Sequence, residues 1–378
     1  MMKYRQFGKT DFEVSALGFG CMRLPVDKDG KAVKTDEAIA MIRYAIDNGV
    51  NYVDNAYGYH NGQSEVVLGK ALRDGYRQKV KIATKLPLWN VEKADDFDKL
   101  LETQLTRLET DNIDFYLFHS IGKDSLEKVK NLKLLDKMET ALSDGRIKNI
   151  GFSFHDGFEV FKNTVDSYDN WSLAMMQYNY MDRNNQAGEK GLKYAAEKGL
   201  ALVIMESCMG GRLANLPQDA VNVLKGSDKK RDQVEWAYDW LWNYPEISVV
   251  LSGMSTMKQV EENIIYASQS QTGGMTPDDV SRLVKVEEII NAIPQIPCTL
   301  CKYCSCPQGV SIPACFAAMN EGLKYGINAA LMIYNWWMKK EENADKCIAC
   351  GECEEKCPQH IKISEEMPKV AKYIAENT

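Results

Sequence analysis

"TDEAIAMIRYAIDNGVNYVD", residues 35–54, joins an amphipathic pattern to a short apolar run. Apolar side chains first recur three and four positions apart, and Asn48 and Gly49 then close the pattern, as at the end of a helix. The run that follows combines Val and Tyr and ends at Asp54. A short apolar run of this kind is typical of a buried strand. The segment therefore predicts one helix followed by one strand.

The same alternation continues from residue 14 to about residue 270. Amphipathic stretches such as "FDKLLETQLTRLE" separate eight apolar runs: "VSALGFG", "VNYVD", "KIATK", "IDFYLFH", "NIGFS", "AMMQY", "LALVIM" and "SVVLSG". Strict alternation predicts a parallel sheet, and eight units over roughly 250 residues predict an α/β fold, the (β/α)8 TIM barrel. An open doubly wound sheet normally carries G-x-G-x-x-G after its first strand. The corresponding "GFGCMR", residues 18–23, lacks the third glycine.

Composition limits the class of protein. The chain has 378 residues, of which 45% are hydrophobic and 26% are charged, as in globular proteins with a full core. A formal net charge of -7 argues against a nucleic-acid-binding surface, which needs clustered Lys and Arg. No signal-peptide pattern opens the sequence, and no apolar run approaches the roughly 18 residues of a membrane-spanning helix. We therefore expect a cytoplasmic protein that binds neither membrane nor nucleic acid.

The pattern changes near residue 290, where two prolines occur in "NAIPQIPC" before a group of cysteines. We place a domain boundary there, with a barrel over residues 1–290 and a 4Fe-4S ferredoxin-type domain over residues 291–378. The forty residues between the two cysteine groups have helical periodicity, with a turn near Gly326. This arrangement resembles the all-helical ferredoxins, so the second domain is expected to be small and mainly α-helical.

Eight of the eleven cysteines form two groups in the last quarter of the chain. The second has the C-x2-C-x2-C-x3-C-P spacing of bacterial ferredoxins, and the first repeats it with one residue before its last cysteine. Two such runs predict two 4Fe-4S clusters that exchange their fourth ligands. One set is Cys298, Cys301, Cys304 and Cys357, and the other is Cys347, Cys350, Cys353 and Cys306. The alternative is a pair of structural zinc sites, since C-x-x-C pairs also bind zinc.

Polar residues follow the barrel strands at the face where barrel enzymes carry their chemistry. In chain order they are Asp54, Tyr59 in the next loop, Lys85, His119, Ser153 and Gln177. Separately, each has an ordinary structural interpretation, such as a helix cap, a core residue or a solvated surface residue. Their occurrence on successive strand ends favours a site.

The first four of these residues suit the reduction of a carbonyl group. Hydride delivery to carbon leaves charge on oxygen, and a positioned acid must protonate it. A phenol such as Tyr59 needs a nearby cation for this role, and Lys85 supplies one. Asp54 is an anion that keeps a buried lysine charged, and His119 is a hydrogen-bond donor for the carbonyl oxygen.

Residues 3 to about 270 resemble the aldo-keto reductase family, most specifically in "GVNYVDNAYGYHNGQSEVVLGKAL". The resemblance implies that Asp54, Tyr59, Lys85 and His119 are catalytic, with Tyr59 as proton donor. It also implies a nicotinamide cofactor bound at the barrel mouth. The cofactor-binding residues that it implies are Gly20, Cys21, Met22, Arg23, Ser153, Gln177, Gly210, Gly211, Ser252, Gly253, Ser255, Gln259, Glu262 and Asn263.

The sequence departs from the usual family residues at four places. They are Asn55, Phe154, Gln259 and the end of the seventh strand, where Met205 or Glu206 stands. Gln259 stands where an arginine often binds the 2'-phosphate of NADP, and neighbouring Lys258 is a substitute for it. The expected cofactor is NADP, with NAD as the alternative. Nicotinamide transfers two electrons and iron-sulfur clusters transfer one, and no motif in the chain demands a flavin to mediate between them.

We interpret the chain as an oxidoreductase that reduces an aldehyde or ketone, or oxidises the alcohol in reverse. A second hypothesis is an electron-transfer or redox-sensing protein whose barrel binds nicotinamide and whose tail docks a redox partner protein. In a third hypothesis, the clusters have only a structural role and stabilise the barrel. The substrate and the oligomeric state have no signature in the sequence.

Overall fold

A computed structural model describes residues 1–377. The chain divides into two compact units. The first comprises Met1–Met209 and Glu235–Met275. The second comprises Gly210–Val234 together with the chain from Thr276 onward. The boundary near residue 290 stays a prediction, because this division follows spatial contacts and moves one internal segment into the second unit.

Ten strands are present in residues 1–377, in two sheets. Their bounds are β1 (Tyr4–Gln6), β2 (Glu13–Ser15), β3 (Leu17–Gly20), β4 (Tyr52–Asp54), β5 (Lys81–Leu86), β6 (Phe115–Ile121), β7 (Ile150–Phe154), β8 (Leu173–Gln177), β9 (Ala201–Met205) and β10 (Ile247–Gly253). The eight strands from β3 to β10 pair in parallel and in chain order, and β10 pairs with both β9 and β3. The predicted closed barrel is thereby confirmed, and each of the eight apolar runs overlaps one of its strands.

A short N-terminal hairpin, β1 and β2, closes the end of the barrel where the strands begin. Phe7, in the loop of this hairpin, is fully buried, with its ring centroid 4.7 Å from that of Phe115 and 5.6 Å from that of Tyr52. Phe115 and Tyr52 are the first residues of β6 and β4. The apolar interior therefore lies toward this end, and the carboxyl ends of the strands are left for polar residues.

Fourteen α-helices occur in the described part of the chain. They are α1 (Thr35–Asp47), α2 (Gln63–Ala71), α3 (Asp96–Leu108), α4 (Lys123–Asn131), α5 (Leu134–Ser143), α6 (Phe158–Asp166), α7 (Gly188–Glu197), α8 (Gln218–Lys225), α9 (Gln233–Trp242), α10 (Met257–Gln269), α11 (Pro277–Asn291), α12 (Ile312–Tyr325), α13 (Ile327–Trp336) and α14 (Ile363–Asn377). None of the helices described over residues 1–377 is long and apolar enough to cross a membrane.

One glycine fixes how α2 packs against α3. A Cβ on Gly69 would lie 2.6 Å from the Arg107 carbonyl oxygen, which is closer than any real Cβ contact. The helix backbones approach this closely only because position 69 has no side chain. The close approach brings the Glu65 carboxylate of α2 beside the Arg107 guanidinium of α3.

The cysteine-rich part is mainly helical, as predicted. Gly326, with φ of 83°, separates α12 from α13 at the predicted turn, in a conformation that glycine adopts without strain. The core of this part contains Ile312, Phe316, Ile333, Met367 and Val370, and buried cysteines join the same apolar cluster. The cysteine loops are therefore packed against helices.

Candidate active site and cluster-binding segment

Three neighbouring strands bring the four predicted catalytic residues together at the carboxyl end of the barrel. Asp54 is the last residue of β4, Lys85 lies near the end of β5 and His119 lies in β6. Tyr59 begins a short 3-10 turn just after β4. Parallel pairing of consecutive strands places these ends side by side.

The Lys85 ammonium is the centre of this group. Its Nζ donates hydrogen bonds to Asp54 Oδ1 and Oδ2, at 2.8 and 2.9 Å, and to the Asn55 carbonyl oxygen at 2.6 Å. It also lies 3.4 Å from the Tyr59 hydroxyl oxygen. Lys85 is 1% exposed and Asp54 is 3% exposed. One buried cation therefore contacts both a carboxylate and a phenol.

The electrostatics keep Lys85 charged and Tyr59 protonated. Burial lowers the pKa of Lys85, but attraction to Asp54 and Tyr59 raises that pKa by more. Burial raises the pKa of Asp54, and the Lys85 ammonium opposes the rise. Burial also raises the pKa of Tyr59 above its ordinary value, against a smaller lowering by Lys85. Tyr59 thus holds a proton at neutral pH, beside a cation that would stabilise its phenolate.

His119 completes the group from β6. Its ring lies edge-on to Tyr59, with centroids 6.3 Å apart, and its centroid is 4.8 Å from that of Trp89. Its Nδ1 is buried and has no hydrogen-bond partner within residues 1–377. Burial, followed by the charges of Lys85 and His155, lowers the pKa of His119 to about 3. A neutral imidazole can donate a hydrogen bond through one ring nitrogen but carries no positive charge.

We expect this buried histidine to make stability depend on pH. An unfolded histidine titrates near pH 6.5, so between about pH 6.5 and about pH 3 only the unfolded chain binds the additional proton. Stability is then complete above pH 6.5 and falls as the pH drops, by about 2 kcal/mol from His119 at pH 5. Urea unfolding at pH 7.5 and pH 5 checks this. The protein should lose more stability between these pH values than His119→Gln does, and equal losses would contradict the assignment.

A buried polar network supports the loop that contains Tyr59, and its members could not be recognised as a group in the sequence. Glu65, fully buried, accepts hydrogen bonds from Thr84 Oγ1 at 2.8 Å and Gln104 Nε2 at 2.6 Å. Arg107 Nη1 lies 3.1 Å from Glu65 Oε2 and donates to the Tyr57 carbonyl at 3.1 Å. The network therefore joins the loop after β4 to β5 and α3.

The signal for this network was weak in the sequence. Glu65 lies in "SEVVLG", residues 64–69 of the stretch that resembles the family most specifically, but Gln104 and Arg107 look like ordinary polar residues of an amphipathic helix. Trp89 and His155 were also missed, because a lone aromatic or histidine after a strand carries no distinctive spacing.

The predicted cofactor residues Gly20 to Arg23 lie beside the end of β10. Gly20 and Gly253 are paired in register, and a Cβ on Gly253 would lie 2.6 Å from Arg23 Cγ. Ser255 Oγ donates to the Arg23 carbonyl oxygen at 2.8 Å, and Cys21 and Met22 lie in the intervening 3-10 turn. These residues lie side by side in the structure, and their role toward a cofactor stays a prediction.

Ser252 and Asn263 are buried and bonded to protein groups. Tyr238 donates to Ser252 Oγ at 2.7 Å, and Asn263 Nδ2 donates to the same oxygen at 3.0 Å. The Gln259 side chain accepts from the Ser255 backbone at 2.7 Å. These partners are structural, so any contact of these four residues with a cofactor is an additional role.

Glu262 also lies on α10 and is partly exposed. Its carboxylate lies 3.6 Å from Lys258 Nζ, which is 80% exposed. The exposed cation next to Gln259 is the predicted substitute for a phosphate-binding arginine.

Ser153 and Gln177 end the next two strands, as predicted. Ser153 Oγ accepts a hydrogen bond from the Ser120 backbone at 2.8 Å. Gln177 Nε2 donates to Asp182 Oδ2 at 2.8 Å. Phe154, the residue after Ser153, is fully buried in the barrel wall and so supplies no polar group.

Gly210 and Gly211 belong to the second unit. Their φ angles are 65° and 95°, a left-handed conformation that favours glycine. They share a short helical turn with Arg212, whose guanidinium pairs with the Glu321 carboxylate of α12.

Four cysteines from both sequence groups line one cavity of the second unit. The cavity is lined by apolar residues of α12 and by Cys298, Cys301, Cys304 and Cys357. These four are the first predicted cluster set. No group of three or more His, Cys, Asp or Glu residues within positions 1–377 forms a site for a single metal ion.

The second predicted set lies close to the first. Burial raises the pKa of the Cys353 thiol to about 11, with contributions from the nearby thiols of Cys306, Cys304 and Cys347. Cys306 and Cys347 are thus both near Cys353, a member of their predicted set. Cys350 is exposed.

Comparison with known proteins identifies two family models in the chain. The model described as the aldo/keto reductase family matches residues 16–288. The model described as a 4Fe-4S binding domain matches residues 341–362, which contain the last four cysteines.

Individual relatives agree with the first of these models. L-galactose dehydrogenase of Arabidopsis thaliana is 26% identical over 77% of this chain and 95% of its own length. The holo form of aldo-keto reductase AKR11C1 from Bacillus halodurans is 26% identical, with a TM-score of 0.63 over 76% of this chain and 96% of its own.

A more distant barrel shares the fold. An aldo-keto reductase from Klebsiella pneumoniae in complex with NADPH is 21% identical, with a TM-score of 0.62 over 76% of this chain and 95% of its own. Because the family model covers well over half of the chain and contains all four residues grouped around Lys85, the protein belongs to the aldo/keto reductase family of oxidoreductases, with a 4Fe-4S binding domain after its barrel.

Proposed function

We propose that the barrel reduces an aldehyde or ketone with NADP, or alternatively NAD, as cofactor, and runs the reverse oxidation of the alcohol. The observation that carries this proposal is the contact of Lys85 Nζ with both the Asp54 carboxylate and the Tyr59 hydroxyl. Family membership and the NADPH bound by the Klebsiella protein support the cofactor.

In this proposal, bound nicotinamide supplies a hydride, which forms the new carbon-hydrogen bond. The electron pair of the carbonyl π bond moves to oxygen, and Tyr59 gives its proton to that oxygen. Lys85 stabilises the resulting phenolate, which recovers a proton from solvent. Neutral His119 donates a hydrogen bond that orients the carbonyl.

We further propose that the second unit binds two 4Fe-4S clusters with exchanged fourth ligands. The fit of the residues supports the first cluster, because four thiols from both sequence groups line one cavity with apolar walls. Thiolates are the ligands that such clusters require. The proximity of Cys306 and Cys347 to Cys353 supports the second set.

Removing single cysteine ligands tests the exchange. We expect Cys357→Ala to lower the iron content from about eight to about four atoms per chain, since one of two 4Fe-4S clusters is lost. Adding Cys301→Ala should remove no further iron, because both residues serve the same cluster. Adding Cys350→Ala should remove the rest.

The control for this series is Cys315→Ala. Cys315 is a buried cysteine of the same unit and is outside both predicted sets. Its replacement should keep all of the iron. The exchange is wrong if Cys357→Ala with Cys350→Ala keeps half of the iron while Cys357→Ala with Cys301→Ala loses all of it.

One observation favours the second function, docking of a redox partner. Apolar side chains beside the cluster cysteines are exposed, with Tyr303 at 67% and Ile348 at 64%. An exposed aromatic or aliphatic side chain next to a cluster suits a contact through which an electron passes.

An anaerobic experiment distinguishes the two functions. Purified iron-loaded protein is given NADPH or NADH with a panel of aldehydes and ketones. Steady oxidation of the nicotinamide with matching alcohol formation supports carbonyl reduction, and no turnover of any carbonyl counts against it. EPR spectra are recorded in parallel without substrate. Cluster signals produced by nicotinamide alone favour electron transfer between the units, whereas signals seen only with dithionite favour two separate functions.

A further inference from the structure

A row of polar side chains runs from the loop after β8 to the end of β7. Gln177 ends β8, and Asp182 and Gln186 lie in the loop that follows it. Gln177 Nε2 donates a hydrogen bond to Asp182 Oδ2 at 2.8 Å, and Gln186 Nε2 lies 3.4 Å from Gln177 Oε1. The same Gln186 nitrogen lies 3.5 Å from Nδ1 of His155. The row therefore ends on an imidazole ring.

Asp182 determines the direction of each hydrogen bond in this row. A carboxylate only accepts, so the Gln177 amide turns its nitrogen to Asp182 and its oxygen to Gln186. An amide nitrogen only donates, so Gln186 donates to Gln177 Oε1 and to His155 Nδ1. A neutral imidazole that accepts at Nδ1 carries its proton on Nε2. The row therefore leaves His155 Nε2–H as a hydrogen-bond donor.

His155 lies at the same end of the barrel as His119. Strand β7 pairs with β6, and Phe154 is opposite Ile121 in that pairing. The His155 backbone N–H donates to the Ile121 carbonyl oxygen at 3.0 Å. His155 thus follows β7 directly beside the end of β6, two residues beyond His119 in that strand.

The ring of His155 is within electrostatic range of the residues grouped around Lys85. Burial lowers the pKa of His155, the hydrogen bond with Gln186 opposes this, and the charge of Lys85 lowers the pKa further. The charge of His155 in turn contributes to the low pKa of His119, after burial and Lys85. His155 is therefore neutral at pH 7. Because the residue is also exposed, a molecule bound beside His119 can reach it.

The other neighbour of His119 is apolar. Trp89 follows β5, which flanks β6 on the side away from β7. Its side chain is 58% exposed, and its ring centroid is 4.8 Å from that of His119. A carbonyl group bound by His119 therefore has an aromatic surface on one side and the His155 donor on the other.

We propose that His155 binds a second oxygen of the substrate through Nε2–H, so that the preferred substrates are aldehydes or ketones with a hydroxyl group on a carbon near the reacting carbonyl. This proposal rests on the proposed function, in which His119 orients that carbonyl. Adjacent strands lie about 4.8 Å apart, which suits two oxygens on nearby carbons of one small molecule. His155 determines specificity, and Gln186 is a positioning residue that holds its ring.

The test compares glyceraldehyde with 2-methylbutanal, in which methyl groups replace both hydroxyl groups. His155→Phe keeps a ring and removes the donor. We expect kcat/KM for glyceraldehyde to fall about five- to ten-fold, the usual effect of one uncharged hydrogen bond, while kcat/KM for 2-methylbutanal changes less than about two-fold. His155→Gln should restore most of the loss, because its amide nitrogen is again a donor.

Two further variants separate the row from general effects on the loop. Gln186→Leu removes the partner of His155 Nδ1 and should lower kcat/KM for glyceraldehyde by a smaller factor than His155→Phe does. The control is Asn184→Ala, an exposed residue of the same loop, which should leave both aldehydes unaffected. Isothermal titration should give a Kd for NADPH within about two-fold of the unaltered value in all these variants.

The outcomes that overturn the proposal are distinct. Equal losses for both aldehydes with a raised Kd for NADPH would show that His155 acts on the cofactor. An unchanged kcat/KM for glyceraldehyde in His155→Phe would show that the ring binds no substrate oxygen. Turnover of 2-methylbutanal without glyceraldehyde would leave the proposed function standing and the proposal wrong. If the unaltered protein reduces no carbonyl at all, the proposed function fails and the specificity fails with it.

Discussion

Tyr59→Phe is expected to lower kcat for carbonyl reduction by about 10²–10⁴-fold, the usual contribution of a general acid. The variant keeps the ring and loses only the hydroxyl that lies 3.4 Å from Lys85 Nζ. Hydride arrival then leaves an alkoxide without a proton donor, so the barrier rises. Cofactor affinity should change little, because the hydroxyl contacts Lys85 and no residue that we assign to the cofactor.

Single-turnover kinetics and NADPH titration measure the two quantities separately. The control is Tyr57→Phe in the same loop, where Arg107 lies over the ring at 4.4 Å and the phenylalanine ring retains that contact. The control should keep most of the activity. Turnover by Tyr59→Phe at the rate of the control would show that another group donates the proton.

Lys85→Met is expected to destabilise folding by about 3–5 kcal/mol in addition to abolishing turnover, because it leaves Asp54 buried without its cation. Both side chains of the pair are nearly inaccessible, at 1% and 4% exposure, so solvent cannot replace the lost contact. Urea unfolding of the variant measures the change in the free energy of unfolding.

A double-mutant cycle separates the ion pair from the loss of packing. Asp54→Asn combined with Lys85→Met should destabilise less than the sum of the two single changes, since no charge remains unpaired. The control is Lys81→Met on the same strand, where the lysine is 45% exposed and lies 3.1 Å from Asp114. That change should alter stability by less than about 1 kcal/mol. Equal losses for Lys85→Met and Lys81→Met would rule out a buried pair.

Much of the fold was predictable because its signal is local. Each barrel strand is a short run of apolar residues, and in each helix apolar residues recur three and four positions apart. Both can therefore be identified without long-range information. Strict alternation of strands and helices is compatible with few topologies of a parallel sheet, and the closed barrel is one of them. The positions of Asp54, Lys85 and His119 at strand ends followed directly from the strand assignment.

The cysteine tail was predictable for a different reason. Ligand spacing is imposed by the cluster, so the groups starting at Cys298 and Cys347 carry their chemistry in the sequence. The assignment of Cys357 to the first set came from that spacing and agrees with the residues that line the cavity. Cluster number, redox partner and cytoplasmic location stay predictions.

The barrel, the helical tail, the residue types of the catalytic group and the spacing of the cysteines could be predicted from the amino-acid sequence, because each depends on neighbours in the chain or on a recurring motif. It took the folded structure to show that Glu65, Gln104 and Arg107 form one buried network. The same holds for the segment after the seventh strand, which belongs to the second unit and pairs there through Arg212 and Glu321. These contacts join residues 39 to 109 positions apart. Charge pairing over such separations leaves no periodic pattern, since many distant partners are chemically equivalent until the chain has folded.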